Sequence, residues 1–289
     1  MKSQQHDSTE DVTILPPHQR CASHTLNLVG MNAPLAAAKA NAKYRSLLHA
    51  TNAKLSAIWN KVSSPQSNEI IQAVLGCQIV TPIATRWNSY YDSRRSLLVH
   101  CSVKLDELCE SLQLPVFKDV EIAFIKEDLD VFSHLAQGLD RLQGDLNPES
   151  YMGFLFPTLF QLQHTYEQLL HSTCLKYCAA LASAILVDIN IRFSPYFTFA
   201  DATQPAALAS IKHPAFKLRW IKPAHVEQMK KLFLNALRLS SEKEHQQNIT
   251  KASRTDEVVD SKTLDFFTFM AEAVEPRTTL QSQAELQGL

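Results

Sequence analysis

The sequence predicts a mainly α protein, and three observations carry that expectation. Apolar residues recur at steps of three, four and seven along most of the chain. Only six of the 289 residues are glycine, too few for the tight turns of a multistranded β protein. Short links carrying proline, glycine or serine separate the periodic stretches, as in a helical bundle or array.

In chain order, residues 1–11 are a polar leader expected to be disordered. Val12 to Leu15 (VTIL) reads as a short strand, broken by Pro16 and Pro17. From Ala33 to Val62 the spacing of Tyr44, Leu47, Leu48, Leu55, Ile58 and Trp59 predicts one amphipathic helix, with Pro34 in its first turn. Ser64 and Pro65 then start a short helix to about Leu75, followed by a loop from Gly76 to Pro82. Leu97, Leu98, Cys101, Leu105, Leu108 and Leu112 mark a helix that ends before Pro115. The next begins at Asp119 and carries Ile122, Ile125, Leu129, Phe132, Leu135, Leu139 and Leu142. A third runs from Tyr151 to Leu170 with a kink expected at Pro157, and a fourth from Cys174 to Phe193. Beyond Pro195 the chain reads as irregular as far as Trp220, and a basic amphipathic helix follows from about Ala224 to Leu239. A polar linker over Glu242 to Ser261 and a short helix in TLDFFTFMAEAV precede a polar tail. There is no repeat at a fixed period.

With 45% hydrophobic and 20% charged residues, the chain has the composition of a folded protein with a real core. Its formal net charge of -1 gives no global pull toward nucleic acid, so any such contact must come from a local basic patch. The six cysteines are scattered rather than spaced as a secreted framework, which points to reduced thiols. The longest apolar stretch, Cys178 to Val187, is about half the ~20 residues of a membrane span. The expectation is an intracellular chain, nuclear or cytosolic, with no membrane partner.

Cys21 and His24, in RCASHTLNLV, are spaced to put a thiolate and an imidazole on one side of a helix, with His18 as a further candidate metal ligand. No second pair follows at a zinc-site spacing, so the competing reading is a buried cysteine beside a locally bonded histidine. Cys174 and Cys178 read as small core residues of a helix. His100, His134, His164 and His171 form no HExxH pairing, and the nucleotide, kinase and serine-hydrolase signatures are absent from the sequence. Asp92, Asp106, Asp128, Asp130 and Asp140 read as solvated helix-surface residues. In TRWNSYYDSRR, Arg86, Trp87, Arg94 and Arg95 combine a flat ring with cations and can stack an unpaired base and neutralise phosphates. The alternative is a tryptophan core anchor with arginines on the solvated face. Lys212, His213, Lys217, Arg219, Lys222, Lys230 and Lys231 make the most basic window, suited to phosphate, or equally to pairing with acidic helices elsewhere in the chain.

Together, the two quoted stretches resemble the Arg-Cys-x-x-His-x-Leu-Asn-Leu and Thr-Arg-Trp-Asn-Ser blocks of hAT superfamily transposases. LDRLQGDLNPESYMGFLFPTLFQL, IRFSPYF and LASIKHPAFKLRW resemble later blocks in the same order, so the resemblance covers about Leu15 to Trp220. It implies a helical insertion-type array with a partial ribonuclease-H-like α/β core. The core segment would occupy residues 12–95, the helical insertion 96–195 and a partial return to the core 196–241, with linker, short helix and tail at 242–289. The resemblance also implies a base-stacking role for Trp87, with Arg86 on the backbone beside it.

Active members of that family hold divalent metal with two aspartates and a glutamate. Asp7 and Asp11 lie in the leader without an Asp-Asn pair, no Ser-Glu-Arg-like block follows, and KHPAFK departs from the usual Leu-Asp-Pro-Arg pattern. The expectation is therefore a transposase-derived protein truncated at both ends and catalytically inactive, with no assigned catalytic residue. It would retain DNA binding through Arg86, Trp87, Arg94, Arg95, Lys217 and Arg219, or associate with itself or other transposase-derived proteins. No cofactor and no small-molecule substrate are expected, Mg²⁺ entering only if the chain is a fragment of a strand-cleaving enzyme. A helical protein-binding adapter is the other alternative.

Overall fold

Burial of apolar stripes drives the long segments into helices, each fully buried Leu, Ile or Phe contributing roughly 1.5–3 kcal/mol. A computed structural model describes residues 20–83, 87–101, 104–143, 151–172 and 174–246, and every regular element among them is helical. The mainly α expectation is met. The α/β part is not seen: among the described residues no strand occurs, and residues 20–83 and 87–95, expected in a ribonuclease-H-like core, are mostly helix. The VTIL segment, His18, Arg86 and the C-terminal segment from 247 onward lie outside the described residues, as does the leader.

Helix α1 spans Ala22–Ala40 and α2 spans Ala42–Val62. The single helix expected over Ala33 to Val62 is thus two, and Pro34 lies inside α1 rather than opening a helix. Asn41 makes the break. Its backbone is extended, and its side-chain oxygen accepts a hydrogen bond from Tyr44 N at 2.9 Å, capping α2. Helix α3 is Pro65–Leu75, with proline in its first turn as expected. The stripe from Leu97 to Leu112 also divides, into α4 (Trp87–Cys101) and α5 (Leu105–Ser111).

Helix α6 (Asp119–Gln143) buries Phe124, Ile125, Leu129, Phe132, Leu135, Leu139 and Leu142 along one face. Asp119 and Glu121 sit in its first turn, where the helix dipole favours negative charge. Helix α7 (Tyr151–His171) continues through Pro157, and α8 is Ala179–Arg192. Cys174 lies ahead of α8 and is exposed, while Cys178 is buried at its N-cap; they do not share a helix. Beyond Pro195 the chain is less irregular than expected, forming α9 (Ser194–Phe197) and α10 (Gln204–Lys212) before α11 (Val226–Gln246).

The packing crosses the boundary expected at residue 95. α1 lies along α8 and touches α2, α4 and α6, while α7 packs against α6, α8 and α10. One continuous cluster of buried side chains runs from Ala22 to Met229. No helix among the described residues is long and apolar enough to cross a membrane.

Two prolines inside helices share a device. Pro34 and Pro157 each follow a glycine by four positions, Gly30 and Gly153, whose carbonyl would otherwise receive the missing N–H. Each glycine also admits a ring from another element. A Cβ at Gly30 would lie 2.4 Å from Trp87 Cδ2, and one at Gly153 would lie 3.1 Å from His213 Cδ2.

Candidate functional site

The two stretches that carry the transposase resemblance meet in space. Asn27, in the LNL of the first, accepts a hydrogen bond from Trp87 N at 3.1 Å and so caps the start of α4. Trp87 is 7% exposed, set against Gly30, stacked on Tyr91 at 5.9 Å and tilted against Phe132 at 5.0 Å between ring centroids. The ring is a packing anchor between α1, α4 and α6. Its replacement by alanine reports stability before it reports stacking on a base.

Arg94 turns inward as well. It lies seven residues after Trp87, with Tyr91 and Leu98 on the same face of α4. Its Nη1 is 2.5 Å from Asp128 Oδ2, its Nη2 donates to Asn52 Oδ1, and its guanidinium sits 4.5 Å over the Tyr90 ring. Arg94 is 5% exposed and Asp128 0%, so this cation is not presented to a phosphate. The expectation that Asp128 is solvated is overturned by its burial. Desolvation raises its carboxyl above the usual range against the pull of Arg94, and the buried Tyr44 hydroxyl is pushed up beside it. The sequence held the signal: Asp128 falls between Ile125, Leu129 and Phe132, inside the apolar stripe of α6.

Arg95, the next residue, is exposed. It lies in a polar groove between α4 and α6 with Asp92, Asp130 and Lys126. Burial raises the Asp92 carboxyl, and Arg95 opposes that shift.

Cys21 and His24 are both exposed at the start of α1, contrary to the buried-cysteine reading. Cys21 serves as N-cap by its carbonyl, which receives Thr25 N and Thr25 Oγ1. No group of three or more metal-binding side chains occurs among the described residues.

The basic window is different. Trp220 is 0% exposed, packed against Phe156 at 4.9 Å and Phe160 at 5.8 Å, with its indole N–H donating to the Lys217 carbonyl. His213 is folded against Phe154 and Phe216, and burial pushes its imidazole down. The buried rings hold the turn between α10 and α11 to the body, leaving its cations outside. Lys212, Lys217, Arg219 and Lys222 are all exposed, as are Lys230, Lys231 and Arg238 on α11. Residues 212–238 carry seven cations and one carboxylate, Glu227, which pairs with Lys230 at 2.7 Å, and Glu167 of α7 lines a groove with Arg219 and Lys222 without pairing to them. Lys212, Lys217, Arg219 and Lys222 have no carboxylate partner among the described residues. Arg219 also donates to the Ala215 carbonyl, which orients it along the turn.

Of the six residues expected to contact DNA, the fold thus presents Arg95, Lys217 and Arg219, buries Trp87 and Arg94, and leaves Arg86 outside the described residues. Arg95 lies on the α4–α6 face, whereas Lys217 and Arg219 belong to the α10–α11 turn. No family model, curated protein or solved structure matches the chain.

Proposed function

We propose that this chain is a transposase-derived, catalytically inactive helical protein that binds DNA weakly, by its phosphates, through the turn between α10 and α11. The observation carrying this reading is local charge. Seven exposed cations against one carboxylate over residues 212–238 stand in a chain of formal net charge -1. Such a patch attracts phosphate whatever the sequence, because bound cations release the counterions condensed on the duplex. The resemblance to hAT transposases supports DNA as the polyanion and the nucleus as the compartment. Base stacking by Trp87 does not enter it.

The test is fluorescence anisotropy of a labelled duplex with the full chain. Four phosphate contacts weaken binding by roughly 10²-fold between 50 and 200 mM salt. Replacing Lys212, Lys217, Arg219 and Lys222 by glutamine abolishes most of the salt-dependent binding. Salt-insensitive binding, or an unchanged affinity in the fourfold variant, rejects the proposal. Cleavage of hairpin or nicked DNA with Mg²⁺ or Mn²⁺ in the same samples would favour an enzyme fragment instead. A second reading, protein association, is favoured by Leu234, Leu237 and Leu239 on α11, which are 54%, 46% and 60% exposed. Concentration-dependent mass in sedimentation, lost in Leu234→Ser/Leu237→Ser, would support it.

A further inference from the structure

A cleft of about 220 Å³ opens between α1, α2, α4 and α6, away from the basic turn. Trp87, Tyr90, Tyr91 and Phe132 form its walls, and Met31 and Ile83, 44% and 61% exposed, stand at its mouth. An apolar cavity of roughly 150 Å³ accommodates one benzene ring, so this cleft has room for a single substituted ring. At its polar end lie Asn52, Arg94 and Asp128.

These groups constrain what enters. Arg94 donates to Asn52 Oδ1, so that oxygen faces the guanidinium and the Asn52 Nδ2 amino group faces away from it. Asn52 is half-buried, lines the cleft, and its Nδ2 has no protein acceptor among the described residues. Arg94 Nε and Asp128 Oδ1, both fully buried at this end, are also without a hydrogen-bond partner. The charge at this end is balanced internally, since Arg94 already pairs with Asp128 at 2.5 Å. A carboxylate entering would compete with Asp128 for Arg94, and an ammonium with Arg94 for Asp128. Either would lose its hydration in an aromatic cleft without gaining an unshared counter-charge.

We infer that the cleft is a binding site for an uncharged aromatic compound bearing a carbonyl group, an aryl ketone or aryl amide. Its ring lies among Trp87, Tyr90 and Phe132, and its carbonyl oxygen accepts from Asn52 Nδ2. Arg94 is a positioning residue, because it fixes which edge of the Asn52 carboxamide is offered. The site is independent of DNA binding and goes beyond the expectation of no small-molecule partner.

The experiment titrates the ¹⁵N-labelled full chain with acetophenone, and with ethylbenzene and benzoate as probes lacking the neutral carbonyl. Acetophenone produces saturable amide shifts in residues 48–52 and 87–94 with affinity on the order of millimolar, and both controls bind at least about tenfold more weakly. Asn52→Asp keeps the acceptor for Arg94 and removes the donor, so it weakens acetophenone by about tenfold. Met31→Trp, an exposed position at the mouth, blocks entry without touching the floor. The fourfold glutamine variant of the basic turn binds acetophenone like the natural chain, whether or not DNA binding exists. The inference is overturned if acetophenone gives no saturable shift, if ethylbenzene or benzoate binds as well, or if Met31→Trp leaves the titration unchanged. The comparison of the three probes needs no variant and decides the matter even if Asn52→Asp does not fold.

Discussion

Trp87 and Trp220 are both buried and both belong to cation-bearing stretches, yet the cations of the two stretches go opposite ways. Next to Trp87, Arg94 enters the core; next to Trp220, Lys217, Arg219 and Lys222 stay in water. Burial of the rings does not explain the difference, since both are anchors of comparable depth. What differs is the facing element. α6 offers Asp128 to Arg94, and α2 adds Asn52. The rings against Trp220 are Phe156, Phe160 and Phe199, and the carboxylate that α7 sets in the groove beside Arg219 and Lys222, Glu167, is only half-buried. A cation is drawn inward only where a carboxylate has already been carried there on an apolar stripe.

That contrast can be broken most severely at Asp128. Asp128→Leu leaves Arg94 buried and unpaired, and should cost about 3–5 kcal/mol in denaturant titrations. The double variant Asp128→Leu/Arg94→Met should recover much of that loss, because the charge is removed with its partner. No recovery would mean that the pair is not the element holding Arg94 inside.

Gly30→Ala comes next. Its new Cβ would stand 2.4 Å from Trp87 Cδ2, an overpacking expected to cost about 1–3 kcal/mol. Its partner in the second region, Gly153→Ala, meets His213 at 3.1 Å and should cost less, since that ring can shift by a few tenths of an ångström. Equal losses would show that the two glycine-to-proline turns are packed alike.

A half-buried ion pair elsewhere sharpens the role of depth. Lys54 Nζ is 2.6 Å from Glu121 Oε2, with side chains 15% and 6% exposed. Burial opposes ionisation of Glu121, but hydrogen bonds from Lys54 and Lys118 N, with the charge of Lys54, outweigh it and hold the carboxyl below its ordinary 4.5. A carboxyl lowered in the folded state contributes stability above its unfolded value, and that stability is lost as pH falls through the folded value. Glu121→Gln should therefore flatten the fall in stability below about pH 4.5, measured as denaturation midpoints against pH. An unchanged acid limb would place its origin elsewhere.

The smallest effect concerns Lys217, which holds a left-handed φ of 51° in the α10–α11 turn. Lys217→Gly relieves a conformational cost of about 1 kcal/mol but adds freedom to the unfolded chain, so stability should change by less than about 1 kcal/mol. DNA affinity should fall as it does for Lys217→Gln, because both lose the same charge. A larger fall in the glycine variant would mean that the strained backbone itself orients the patch.

The residues by themselves determined the helical class, the positions of α3, α6 and α7, and the start of α11, which runs on to Gln246 through the first residues of the expected linker, because an apolar stripe of period 3.6 has only one economical way to be buried. They determined the basic window for a similar reason: Lys212 to Arg238 has almost no acid of its own to neutralise it. Other features are legible in the residues too. Asn41 is a cap residue within the periodic stretch Ala33 to Val62, and Asp128 stands within an apolar stripe. The tertiary structure alone decided that Trp87 is an anchor, that Arg94 faces inward while Arg95 faces out, and that Asn52 offers one edge of its amide to a cleft. Each of these depends on what a distant element presents across a contact, and no local periodicity encodes that.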